Sequence, residues 1–146
     1  MKRLTLICLL LALTFAACAP KAQEPAANAL KVSDGKITKT FTVTDLKALA
    51  EAQATIKGVT YLGVQLTVLI QAAGIDPTAL KAVKAVASDG FAANYEPALF
   101  GLKDTIVAYA RVGGPLGDDE TPFRMVLPAE GGKMNARKLT DIVAIP

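Results

Sequence analysis

Histidine and tryptophan are absent from these 146 residues, and cysteine occurs only as Cys8 and Cys18. Without histidine there is no Ser-His-Asp or Cys-His catalysis, no histidine zinc site and no two-His-one-carboxylate iron site. Aromatic residues are few, five Phe and three Tyr, and no run of basic residues offers a patch for nucleic acid. Acidic residues cluster only at Asp118-Asp119-Glu120. Three consecutive carboxylates lack the spaced oxygens of a calcium loop, so the cluster reads as a solvated turn and no metal site is expected. Neither Gly113-Gly114 nor Gly131-Gly132 sits between a strand and a helix with phosphate-loop spacing.

What the chain does have begins with an address. Met1-Lys2-Arg3 is basic, Leu4 to Ala17 is apolar apart from Thr5 and Thr14, and the small Ala16 and Ala17 precede Cys18. A basic start, an apolar run and a small-residue end make a secretory signal. The run falls short of the about 20 residues a membrane helix needs. Phe15-Ala16-Ala17-Cys18 resembles the processing box of bacterial lipoproteins, with Phe15 where leucine is usual. That resemblance implies cleavage before Cys18 and a diacylglyceryl group on its sulfur. Two acyl chains anchor stably where one does not, each buried CH₂ contributing about 0.8 kcal/mol. The alternatives are an uncleaved anchor, or ordinary cleavage that leaves a free thiol.

On this reading residues 1–17 are the signal peptide, 18–29 a flexible tether and 30–146 one folded domain. The protein is exported and lipid-anchored in the bacterial cell envelope, facing the periplasm or the cell surface. Loss of Lys2 and Arg3 takes the 16 basic residues to 14 against 13 acidic ones, so the high overall pI owes much to the signal. The tether, APKAQEPAANA, is rich in Ala and Pro without periodicity.

Residues 31–36 read as a strand end and a turn. Ile37 to Val43 alternates, which predicts a strand, and Thr44 is placed to cap a helix entered by Asp45. Leu46, Leu49 and Ala50 share one face of that helix. Thr55 to Tyr61 is a predicted strand. Leu66, Leu69, Ile70 and Ala73 fall at helical spacing, with Gly74 as the stop. Asp76-Pro77 opens a helical turn. Lys81 to Ala87 and Phe91 to Tyr95 are expected strands around a Ser88-Asp89-Gly90 turn, and Pro97 to Gly101 is a short helix. Thr105 to Val112, Phe123 to Leu127 and Leu139 to Ile145 complete the strands, with a loop over 113–122. Strands with two or three short helices give an α+β class built on a mixed sheet or barrel.

The order of these pieces carries a resemblance. Val43-Thr44-Asp45-Leu46-Lys47 matches a strand-to-helix DL segment. Gly63 to Ile70 with Ala73-Gly74 matches a GVxLxxLLxxAG helix. Ala87-Ser88-Asp89-Gly90-Phe91 matches SDGY, and Thr105 to Ala110 with Gly113-Gly114-Pro115-Leu116 matches an LAY strand followed by NGxPL. Thr121 to Pro128 matches PLRLVVP, and Gly132-Lys133 with Lys138 to Ile145 matches a closing GxK and strand. Together they resemble the oxidoreductase molybdopterin-binding domain, the fold of sulfite oxidases. The resemblance implies a molybdopterin cofactor and, in catalytic members, a cysteine thiolate on molybdenum shortly before the GVxL helix. Here that stretch is Glu51 to Leu62 and holds no cysteine. The family's histidine and several pterin-binding arginines are missing too.

The candidate ligand-binding residues are Arg124, Arg111, Asp89, Tyr95 and Lys133, with Cys18 for lipidation and no catalytic residue. Arg124 lies where the resemblance places a residue near the cofactor, and a guanidinium can fork a phosphate or carboxylate. The opposing reading is an outward strand arginine. Arg111 alternates with Val107 and Tyr109 and so shares their face. Asp89 reads as a turn residue or, with Tyr95, as the mouth of a pocket, and Lys133 as a solvated lysine or an anion contact. The expected function is a membrane-anchored, non-catalytic relative of the family that binds a small anionic ligand or an envelope protein partner. No cofactor is expected, although the resemblance makes molybdopterin possible. A true molybdopterin-dependent oxidoreductase and a structural envelope scaffold are the alternatives.

Overall fold

The structure is a computed structural model, and it describes residues 28–146. Cys8, Cys18, the signal and nearly all of the tether lie outside the described residues. No helix among the described residues is long and apolar enough to cross a membrane.

Two open sheets of five strands each enclose the core. The first runs β2 (Thr38–Thr42), β1 (Ala29–Ser33), β10 (Leu139–Ile145), β5 (Ala82–Ala87) and β6 (Ala92–Tyr95). Its β1–β10 pair is parallel and the rest antiparallel, so the sheet is mixed. The second is antiparallel: β3 (Glu51–Ile56), β4 (Val59–Gln65) and β7 (Ile106–Arg111), whose far edge is shared by β8 (Gly114–Pro115) and β9 (Arg124–Val126). The α+β class holds, with open sheets in place of a closed barrel.

The short helices fill corners. In α1 (Val43–Lys47) the cap is Thr42, the last residue of β2 and two residues earlier than the expected Thr44. Its hydroxyl accepts from the Asp45 N–H while the Asp45 carboxylate accepts from the Thr42 N–H, a reciprocal box that only this spacing allows. Leu46 is buried by that turn, Leu49 half-buried, and Ala50 exposed. In α2 (Leu66–Ala72) the predicted stripe of Leu66, Leu69 and Ile70 is fully buried, and Gly74 ends it at φ +87°. A third helix, α3 (Pro97–Phe100), precedes β7.

The predicted single strand over Thr55–Tyr61 is instead a hairpin. Lys57 and Gly58 both have positive φ, +50° and +79°, as a two-residue turn of the I′ kind requires. Around it Thr55 pairs with Thr60 and Ile56 with Val59.

Alternation along the second sheet sorts its side chains into two cores. Val64, Val107, Met125 and Leu127 face the large core shared with the first sheet. Ala54, Tyr61, Ile106, Ala108, Leu116 and Val126 form a smaller one on the opposite face. A bulge interrupts the β4–β7 register between Leu62 and Gly63. A Cβ at Gly63 would stand 2.2 Å from the Val107 carbonyl oxygen, so only glycine lets the strands approach here.

That bulge corrects the expectation for Arg111. Strict alternation puts it with Val107 and Tyr109. The extra residue on β7 instead returns Arg111 to the face of Tyr61, its register partner.

Candidate functional site

Three strands and a loop deliver one charge cluster, buried at Glu120 and Arg124 and half-exposed at Arg111, to the edge of the small core. Tyr61 comes from β4, Arg111 from the end of β7 and Arg124 from the start of β9. Glu120 comes from the turn between β8 and β9, where its N–H donates to the Gly117 carbonyl at 2.8 Å. Glu120 is 3% exposed and Arg124 5%. The predicted solvated turn therefore holds for Asp118 and Asp119, which are exposed, and fails for Glu120. Two guanidiniums at the sheet's edge need a counter-charge, and Glu120 turns inward to supply it.

Five hydrogen bonds converge on that carboxylate. Oε2 accepts from Arg111 Nη2 at 2.6 Å, Arg111 Nε at 3.1 Å and the Gly117 N–H at 3.3 Å. Oε1 accepts from Arg124 Nη1 and from the Tyr61 hydroxyl at 3.1 Å. The Tyr61 oxygen in turn accepts from Arg124 Nη1 at 2.8 Å, and the Arg124 guanidinium lies 4.5 Å over the Tyr61 ring. Burial pushes the Glu120 carboxyl up, but the Arg111 fork, the Arg124 charge and the Gly117 N–H outweigh it and hold the group below its usual range. Burial also raises the Tyr61 phenol, so it stays protonated and donates.

Tyr61, Glu120 and Arg124 line one side of a cleft of about 400 Å³. The β3–β4 hairpin forms a second wall through Thr55, Ile56, Lys57 and Val59, and residues 128–137 the third. Asn135 fixes that third wall. Its Oδ1 accepts from the Leu127 N–H at 2.7 Å, and its Nδ2 donates to the carbonyls of Glu130 and Gly131. Lys57 and Arg137 stand exposed at the rim, and Arg137 also meets the exposed Asp119.

The predicted site residues divide among three places. Arg111 and Arg124 come together on Glu120. Asp89 and Lys133 share a separate, shallow depression of about 290 Å³ with Phe91 and Arg137. Asp89 also closes its own turn, its Oδ1 accepting from the Phe91 N–H at 2.9 Å. Tyr95 is fully buried and donates to the Met134 carbonyl at 2.8 Å, well inside the large core, and burial raises its phenol. A third, open hollow of about 650 Å³ holds Lys47, Glu51, Tyr109 and the outer side of Arg111. Sequence reasoning misses Tyr61, Lys57 and Glu120. No local sequence signal separates Glu120 from the exposed Asp118 and Asp119 beside it.

Two open sheets sharing one core, with a cleft beside the hairpin that precedes α2, define an α+β domain of the sulfite oxidase-like class. The chain belongs to the oxidoreductase molybdopterin binding domain family, which matches residues 33–146. Its fold is similar to that of the sulfane dehydrogenase SoxCD from Paracoccus pantotrophus, with a TM-score of 0.68 at 19% identity. The likeness covers 84% of this chain and 39% of that one, so this chain spans well under half the length of its structural neighbour. No curated protein matches the chain by sequence.

The family name implies a molybdopterin, and the cleft residues do not fit it as the resemblance describes catalytic members. The stretch expected to carry a thiolate is the β3–β4 hairpin on the cleft wall, and residues 28–146 contain neither cysteine nor histidine. A soft metal centre finds no soft ligand there. The two arginines best placed to hold a phosphate already share one carboxylate.

Proposed function

We propose that this family member works as a binding module rather than as a molybdenum enzyme. A small ligand with one anionic group and an apolar body occupies the cleft. Its anionic group meets Lys57 and Arg137 at the rim, and its body rests on Ile56, Val59 and Pro128. The observation that carries this reading is a formed cleft whose buried Arg124 is paired with Glu120, while Lys57 and Arg137, the latter beside Asp119, stand exposed at its rim. Such a cleft offers shape and rim charge but no redox ligand.

A thermal-shift screen of carboxylates and phosphates on the exported chain tests it, because a bound ligand raises apparent stability by mass action. A hit is expected to lose at least tenfold in affinity in the Lys57→Ala, Arg137→Ala double variant. Hits indifferent to both substitutions would contradict the assignment.

We further propose that the domain is displayed from the envelope membrane through acylated Cys18, the reading supported by the Phe15-Ala16-Ala17-Cys18 box. Cys18→Ser is expected to move the protein from the membrane fraction to the soluble one. A variant that stays with the membrane would reject the anchor. The oxidoreductase alternative is favoured by family membership, and molybdenum content decides it.

A further inference from the structure

The side-chain donors around Glu120 come from three strands, whereas the acceptor and one backbone donor, the Gly117 N–H, come from a single loop. Arg111, Arg124 and Tyr61 are held by sheet pairing, and the Gly117 N–H completes the ring. Two guanidiniums and a phenol against one carboxylate leave one positive charge in excess. A fork from Arg111 on one oxygen, with Arg124 and Tyr61 on the other, is how proteins hold a free carboxylate. Every buried side-chain nitrogen and oxygen among the described residues has a partner, so the ring is complete with Glu120 in place.

We propose that Arg111, Arg124, Tyr61 and Gly117 form an oxyanion site that the chain fills with its own Glu120, and that accepts a free monocarboxylate of acetate size once that side chain is cut back. The match in size is chemical. The heavy atoms that Glu120→Ala removes, one carbon and one carboxylate, match those of acetate. Glu120 is thereby a specificity-determining residue of the cleft. With it, Arg124 is closed to anionic ligands. Without it, the cleft floor becomes a carboxylate receptor. The proposal concerns the donor ring and holds whatever ligand the open part of the cleft takes, so its test and the rim-cation test fail independently.

The experiment is thermal unfolding of the exported chain with Glu120→Ala in acetate, acetamide and chloride at constant ionic strength. Acetate at ten times its Kd is expected to raise the variant's Tm saturably by about 5 °C. Acetamide, the neutral isostere, is expected to leave it unchanged, and the native chain to respond to neither. Glu120→Gln refills the space without charge and is expected to ignore acetate. Should Glu120→Ala fail to fold alone, its refolding from denaturant is followed by circular dichroism. Recovery in acetate but not in acetamide supports the site, and no recovery in either overturns it. Equal responses to acetate and acetamide, or an acetate-sensitive Glu120→Gln, overturn it as well.

Discussion

At the cleft floor one carboxylate is shared by two guanidiniums, and that makes Glu120 costly to change. Glu120→Gln keeps the shape but leaves buried positive charge without a full counter-ion, and is expected to lose about 3 kcal/mol of stability in urea titrations. The pH dependence has a definite sign. A carboxyl held below its ordinary value in the folded chain contributes stability above its unfolded value of about 4.3, and loses it as pH falls through the folded value. Stability of the native chain is therefore expected to drop below about pH 4. Asp34, Asp45 and Asp76 are lowered too, by local backbone or side-chain hydrogen bonds, and add to the same trend. The difference between native and Glu120→Gln unfolding curves isolates the share of Glu120, and a constant difference down to about pH 3 would refute it. Arg111 and Arg124 are legible in the sequence as polar residues in apolar strands. Their shared partner is not, because an acidic triplet reads as solvent-facing until strand pairing shows that its third member turns inward.

At the scale of elements, periodicity finds most of the pieces. The stripe Leu66, Leu69 and Ile70 predicts α2, and the strand over Leu139–Ile145 is read with its observed bounds. The failures have local causes. The hairpin at Lys57-Gly58 escapes because its turn residue is Lys rather than Asn, so β-branched residues run on across it and mimic one strand. The side of Arg111 escapes because a bulge adds a residue that alternation does not count. Both sites give expectations. Gly58→Ala, at φ +79°, is expected to cost about 1 kcal/mol by chemical denaturation. Gly63→Ala forces a methyl to within 2.2 Å of a backbone oxygen and is expected to cost about 3 kcal/mol or more. A mild effect there would mean that β4 and β7 do not meet as described.

For the molecule as a whole, family and class are written in the sequence because ordered short motifs track how the sheets are wired. The cleft's shape depends on a hairpin, a bulge and a buried turn, none of which leaves a motif. Membership fixes the fold and leaves the chemistry to the site. Here the segment that the resemblance reserves for a metal-binding thiolate is a tight hairpin, and the nearby arginines are occupied from within. The most direct measurement is molybdenum and pterin content of the purified chain, expressed in a host that makes the cofactor. No stoichiometric metal and no pterin fluorescence are expected. One molybdenum per chain would contradict the binding-module reading.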